Sequence, residues 1–115
     1  MRRSGATLDF DVDTTSGHPL YIPNGDLLTA NKWHHVVFTW DGNVTGTNAK
    51  WYVNGVNKTL ANIAGSGSRT SDSGYSPYIG ALCSGCYFNG QIDEVRIYNR
   101  ALSAEEIKRL YLLGN

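Results

Sequence analysis

The segment from Gly90 to Ile107 (GQIDEVRIYNRALSAEEI) constrains the fold more than any other part of the chain, because it joins a strand pattern to a helix start. Its first half is rich in β-branched and aromatic residues, which suit a pleated and buried surface. Ser103 and Glu106 have the spacing of a reciprocal capping box, so a helix should open at Ser103. The apolar stripe of that helix consists of Ile107, Leu110 and Tyr111. We therefore predict a strand over Phe88 to Tyr98, a sharp corner and a short C-terminal helix.

The length and charge of the chain limit its class. With 115 residues it corresponds to a single domain, residues 1–115, with one core. Lys plus Arg and Asp plus Glu number 10 each, so we expect neither a nucleic-acid nor a membrane partner. The 13 Gly and 7 Tyr residues, with little helical periodicity, indicate a turn-rich all-β protein. No signal peptide is visible after Arg3, which leaves the localisation unknown, and extracellular if the chain is excised from a larger secreted protein.

Three upstream segments have strand patterns. Leu8 to Val12 alternates apolar and acidic residues, and His18 to Ile22 is a shorter candidate. From Trp33 to Trp40 both alternating sets of residues are largely apolar, which predicts a strand covered on both faces, with Trp33 and Trp40 in the core.

The dipeptide Asn54-Gly55 is the strongest local signal, because both central residues of a type I′ turn need positive φ. It predicts a hairpin of Lys50 to Val53 with Val56 to Leu60. Residues Ala64 to Gly74 are dominated by Gly and Ser and are predicted to be a mobile loop. Pro77 to Leu82 is predicted to be a further strand.

The closing run, with the upstream pieces WHHVVFTWDG, KWYVNG and YIGA in that order, resembles laminin G-like jelly-roll domains of the concanavalin A-like lectin and glucanase superfamily. The resemblance implies an all-β jelly-roll sandwich with a short C-terminal helix, truncated because the first several strands of the family are absent. In the family the closing strand lies beside those opening strands, so Gln91 to Tyr98 lacks its usual neighbour. Either Leu8 to Asp13 or a second copy of the chain fills the place. We expect the second copy to contribute, which predicts a homo-oligomer.

The resemblance also implies a non-catalytic binding module, for a carbohydrate or for a glycosylated or extracellular protein surface. Aromatic rings stack on the C–H face of sugars, so aromatic residues near loop ends are candidates for ligand contact. The alternative is that these aromatics fill the sandwich core. The candidate ligand-binding residues are Trp51, Tyr75, Tyr78, Tyr87 and Asn89.

Two other functions compete with ligand binding. One is a structural or self-assembly role, in which exposed sheet edges pair. The other is a glycoside hydrolase-like activity of Asp9, Asp11 and Asp13, whose alternate spacing projects three carboxylates from one strand face. The superfamily's glucanases use the longer Glu at the reacting positions, and the three Asp residues also fit a solvated strand face or turn. We therefore expect no enzyme and no catalytic residues, and assign Asp93 and Glu94 to structural roles.

The metal and thiol candidates are weaker. His35 to Trp40 is similar to a pentraxin motif, but the stretch matching the pentraxin calcium loop, Leu82 to Tyr87, offers no carboxylate. Asp41 and Asn43 are weak calcium candidates that could instead stabilise a turn, and no cofactor is expected. Cys83 and Cys86 are compatible with a loop disulfide, free thiols or half of an intermolecular metal site.

Overall fold

The computed structural model of the chain describes residues 10–11, 13–16, 20–21, 27–44, 48–59, 66–71, 73–74, 76, 78–83 and 86–114. Over these residues the strands pair as three small antiparallel sheets, β1-β2, β3-β4-β5 and β6-β7, and a single helix follows. The bounds in chain order are β1 Phe10–Asp11, β2 Leu20–Tyr21, β3 Val36–Thr39, β4 Lys50–Val53, β5 Val56–Lys58, β6 Ala81–Cys83, β7 Cys86–Tyr87 and α1 Ala104–Leu113.

The turn between β4 and β5 has the predicted geometry. Asn54 and Gly55 have φ values of 53° and 74°, as a type I′ turn requires. The Asn54 N–H also donates to the His35 carbonyl at 2.8 Å, and the Asn54 Oδ1 accepts from the His35 N–H at 3.0 Å. The prediction of this hairpin is confirmed, and its turn is tied to the residue just before β3.

In the sheet β3-β4-β5, the paired strands β3 and β4 have packed side chains on both faces, whereas Val56 of β5 is exposed. On one face the paired residues Val37 and Tyr52 pack with the core formed by Tyr52, Leu102 and Ile107. On the other face Phe38 lies opposite Trp51, with ring centroids 4.9 Å apart, and Phe10 of β1 stacks on Phe38 at 4.0 Å. Successive side chains of a strand point to opposite faces, so β3 and β4 contribute to both layers.

The predicted capping box opens α1. The Ser103 Oγ accepts from the Glu106 N–H at 3.2 Å, and the Ser103 N–H donates to Glu106 Oε2 at 2.8 Å. The Arg100 guanidinium donates two hydrogen bonds, of 3.0 and 2.6 Å, to the same carboxylate. The Arg100 hydrogen bond, helped by the Ser103 N–H, lowers the pKa of Glu106 to about 2. The helix then packs through Ile107, which is fully buried.

The strand predicted from Trp33 begins only at Val36, and Trp33 is 66% exposed instead of lying in the core. Asn31 has a φ of 61°, and His34 Nε2 lies 3.0 Å from the Thr29 nitrogen and 3.1 Å from its carbonyl oxygen. These local contacts hold the residues before Val36 in a loop. The indole of Trp40 is partly buried and lies 5.8 Å from the Phe10 ring.

Part of the predicted mobile loop over Ala64 to Gly74 is instead held by backbone bonds. Thr15 N–H donates to the Ser68 carbonyl at 2.9 Å, and Thr70 N–H donates to the Asp13 carbonyl at 3.1 Å. A β-bridge joins Thr14 to Arg69 between these bonds. Residues 66–70 therefore pair with residues 13–16. The Gly and Ser content of the segment did not predict this pairing.

The predicted strand over Phe88 to Tyr98 is wrong. Residues 91–98 form no strand and every one of them is exposed. The ladder ends earlier, in β7, which the sequence assigned to a loop. The physical reason is that a strand needs a neighbour for its backbone groups, and in the part of the chain that the structure describes none lies beside residues 91–98.

Candidate functional site

The candidate site is built on the hairpin of β6 and β7. Ala81 pairs with Tyr87, and Cys83 with Cys86, across a register irregularity. The Phe88 N–H extends the ladder by donating to the Gly80 carbonyl at 2.8 Å. The side chains of Cys83 and Cys86 lie outside what the structure describes. The disulfide, the free thiols and the intermolecular metal site therefore stay alternative predictions. We call the described residues 78–83 and 86–90 the aromatic hairpin.

The aromatic hairpin presents large apolar side chains to solvent. Tyr78 is 77% exposed and Tyr87 71%, while Ile79 and Phe88 are also more than half exposed. Asn89, just beyond β7, is exposed as well. Contiguous exposed apolar surface on a folded domain marks an interaction site more often than a scattered single residue does.

Two glycines shape this surface. A Cβ on Gly90 would lie 2.8 Å from Cε1 of Phe88, so only glycine lets the Phe88 ring sit against the chain there. Gly80 has a φ of 75°, and a Cβ on it would meet Cδ1 of Ile92 at 3.5 Å. The ring and the Ile92 side chain therefore lie close over glycine backbone, and the apolar surface continues from the aromatic hairpin into Ile92.

The electrostatic character of the site is uniform. No Asp, Glu, Lys, Arg or His occurs from Tyr78 to Ile92, whereas Asn89 and Gln91 supply amide donors and acceptors. A surface of exposed aromatic rings and amides can stack on C–H groups and exchange hydrogen bonds with hydroxyls. It provides no fixed charge to attract an ionic ligand.

Of the two remaining predicted ligand residues, one is buried and the other is not described. Trp51 is only 6% exposed and packs against Phe38, so its ring face is not offered to a ligand, contrary to the expectation from the sequence. Tyr75 lies outside the described residues. Phe88, Ile79 and Gln91 were missed as candidates, and the signal that could have revealed them is the uncharged run around them.

The two weak calcium candidates take part in a turn. Asp41 Oδ1 accepts from the Asn43 N–H at 2.9 Å, and Asp41 Oδ2 accepts from Asn48 Nδ2 at 2.7 Å. These hydrogen bonds, that from Asn48 first, lower the pKa of Asp41. The Asn43 carbonyl accepts from the Trp40 Nε1–H at 2.9 Å. Across the residues that the structure describes, no group of three His, Cys, Asp or Glu side chains could hold a metal ion.

Of the three candidate catalytic carboxylates, only that of Asp13 is described. Asp9 and the side chain of Asp11 lie outside the described residues, and Asp13 is exposed, with its carbonyl bonded to Thr70. A shallow groove of about 200 Å³ lies beside α1, lined by Tyr98, Arg100, Leu102, Glu106, Arg109 and Leu110. With a pKa of about 2, Glu106 stays ionised near neutral pH and cannot act there as a general acid.

Together these features define an antiparallel β domain closed by a helix, with an exposed hairpin. The Laminin_G_3 profile, described as the concanavalin A-like lectin/glucanases superfamily, matches residues 1–108, so the chain belongs to this family. The match confirms the resemblance seen in the sequence. No curated protein matches the chain.

A solved structure is similar in fold. It is the crystal structure of an S-layer domain-containing protein from Clostridium thermocellum, with a TM-score of 0.56 and 24% sequence identity. The superposition covers 96% of this chain and 66% of that one, so the chain spans about two thirds of that structure's length. Among the described residues, no helix is long and apolar enough to cross a membrane.

Proposed function

We propose that this chain is a non-catalytic binding module that binds a neutral carbohydrate through the aromatic hairpin. The observation that carries the proposal is the exposure of Tyr78 and Tyr87 on a hairpin segment without charged residues. Membership of a superfamily named for lectins and glucanases is consistent with such a ligand. A glycosylated or extracellular protein surface is the broader class of partner.

The chemistry of the surface favours sugars over other ligands. A tyrosine ring covers the C–H face of a pyranose, and the Asn89 and Gln91 amides can pair with its hydroxyls. An anionic ligand lacks a cation here, because the uncharged run extends from Tyr78 to Ile92. The equal numbers of acidic and basic residues in the chain likewise argue against nucleic acid or an anionic membrane as partner.

The non-enzymatic part of the proposal is supported by the surroundings of the carboxylates. Glu106 is held ionised by Arg100, and Asp41 is engaged by Asn48 and the backbone of its own turn. The superfamily name includes glucanases, so hydrolysis of a β-glucan that disappears in Asp11→Asn is the result that would restore the hydrolase alternative.

The proposal extends to setting and architecture. The similar structure belongs to an S-layer domain-containing protein, and we propose a cell-surface or extracellular location for this chain on that analogy. We also propose that the layers on either face of β3-β4-β5 are part of a jelly-roll sandwich.

The test is binding of neutral and acidic oligosaccharides on a glycan array, followed by calorimetric titration of any neutral sugar that binds. Tyr87→Ala and Tyr78→Ala should each weaken binding about fivefold, which corresponds to about 1 kcal/mol for a lost ring contact. Trp33→Ala is the matched control, since it removes an aromatic ring that is also about two thirds exposed but lies outside the hairpin, and it should leave the affinity unchanged. Binding that is confined to acidic glycans, or that is lost in Trp33→Ala alone, contradicts the proposal.

A further inference from the structure

The segment 91–98 has the composition of a strand and the solvent exposure of a loop. Ile97 is 94% exposed, and Ile92, Val95 and Tyr98 are each more than two fifths exposed. Over the described residues no backbone hydrogen bond joins the segment to another strand. Apart from the Glu94 N–H, which bonds within the segment, its N–H and C=O groups have no strand partner among the described residues, and a pairing chain would bond to them and cover its apolar side chains.

The segment bends at Glu94. This residue has a φ of 52°, which is uncommon for a residue with a side chain, and its N–H donates to Asp93 Oδ1 at 2.7 Å. An ion pair joins the Glu94 carboxylate to the Arg96 guanidinium within the same chain. Both side chains are more than half exposed. The bend is thus stabilised by local, solvent-exposed contacts that a partner strand can replace.

The charges of the segment complement themselves. In an extended conformation Ile92, Glu94, Arg96 and Tyr98 share one face, since side chains alternate along a strand. We propose that a second copy of this chain pairs antiparallel with residues 91–98 about a two-fold axis at Val95. Positions equally far from Val95 then face each other, so Glu94 lies opposite Arg96 of the second copy, and Ile92 lies opposite its Tyr98.

On the other face of the pair, Asp93 of each copy lies opposite Ile97 of the second copy. Val95 meets Val95 of the second copy at the axis, and the two Ile97 side chains flank it. The symmetric pairing forms two Glu–Arg contacts at once, whereas a parallel in-register pairing would set Glu94 against Glu94. The net charge of zero adds no long-range repulsion between copies. A two-fold antiparallel pair therefore supplies backbone partners, sets Glu94 opposite Arg96 twice and brings the two Val95 side chains together.

The experiment is sedimentation equilibrium on the whole chain over a range of concentrations. The wild type should form a dimer, and Glu94→Arg or Arg96→Glu should each weaken it about tenfold or more, because like charges then face each other twice across the axis. An equimolar mixture of the two variants should recover the dimer. In the mixed pair, positions 94 and 96 are both basic in one chain and both acidic in the other, so opposite charges face each other again.

The mixture separates pairing between chains from effects within one chain. Both variants lose the internal Glu94–Arg96 ion pair, and mixing cannot restore that pair inside either chain. Far-ultraviolet circular dichroism of the separate variants checks that each is folded. A wild type that stays monomeric at the highest soluble concentration, or a mixture no more associated than its components, overturns the proposal. Neither residue lies in the aromatic hairpin, so sugar binding by the monomeric variants tests the proposed function separately.

Discussion

At the scale of single residues, the backbone angle φ at a position limits which amino acids can occupy it without strain. Gly55 has a φ of 74°, and a Cβ added there would lie 3.3 Å from Cδ1 of Tyr111 and 3.5 Å from the Lys108 Cα. The glycine therefore serves two purposes. It allows the type I′ turn, and it lets the turn approach α1 closely.

We expect Gly55→Ala to lower the free energy of unfolding by about 1–2 kcal/mol from backbone strain alone, with a further loss from the contact with Tyr111. Urea denaturation measures the change. Gly42→Ala is the matched control, because Gly42 has a φ of 87° but nothing within 4 Å of the added Cβ. Equal losses in the two variants would show that the approach to α1 is unimportant.

At the scale of elements, α1 illustrates a helix whose start is fixed locally and whose position is fixed by packing. Ser103 and Glu106 satisfy each other's backbone N–H groups, and Arg100 holds the Glu106 carboxylate. Ile107, one residue later, is the most deeply buried side chain described. The cap and the buried contact therefore stabilise the same turn of the helix.

Ser103→Ala should destabilise the protein by about 1 kcal/mol, since the Glu106 N–H loses its acceptor. Ser103→Thr retains a hydroxyl in the same place and should have a smaller effect. Chemical denaturation followed by circular dichroism compares the two variants. A loss of the same size in both would mean that the hydroxyl does not stabilise the helix.

At the scale of the whole molecule, His35 lies where separate parts of the chain meet. Its backbone is bonded to the Asn54 turn, its ring lies 6.0 Å from that of Tyr111 in α1, and Arg96 acts on it electrostatically. In the described part of the chain its Nδ1 is buried without a hydrogen-bond partner. Burial, and then the positive charge of Arg96, lower the pKa of His35 below 6.5.

The sign of the pH dependence follows from linkage. Below pH 6.5 the unfolded chain binds a proton at His35 more readily than the folded chain, so the free energy of unfolding should fall as the pH drops from 6.5 towards the folded-state pKa. His35→Phe should reduce this loss between pH 6.5 and about pH 4, where carboxylates begin to titrate. Urea midpoints measured at a series of pH values test the prediction. Parallel curves for wild type and variant would exclude His35 as the titrating group.

The candidate site shows why exposure is harder to predict than element type. The sequence identified Tyr78, Tyr87 and Asn89, which the hairpin presents to solvent, and also Trp51, which is buried. It assigned Trp33 to the core, whereas the Thr29–His34 contacts hold the segment before β3 in a loop. An aromatic side chain suits both a hydrophobic core and a binding surface, so residue type alone does not tell which of the two places it occupies.

The sequence by itself determined the features that depend on a few adjacent residues. The Asn54-Gly55 turn and the Ser103–Glu106 cap form as predicted, because their backbone angles and hydrogen bonds involve groups within four positions of one another. The tertiary structure alone decided the pairing of 13–16 with 66–70, the burial of Trp51 and the lack of a neighbour for residues 91–98 among those described. Each of these features depends on which distant segment packs beside the residues concerned. A strand pattern in the sequence indicates that a segment needs a pairing partner, but it does not identify that partner.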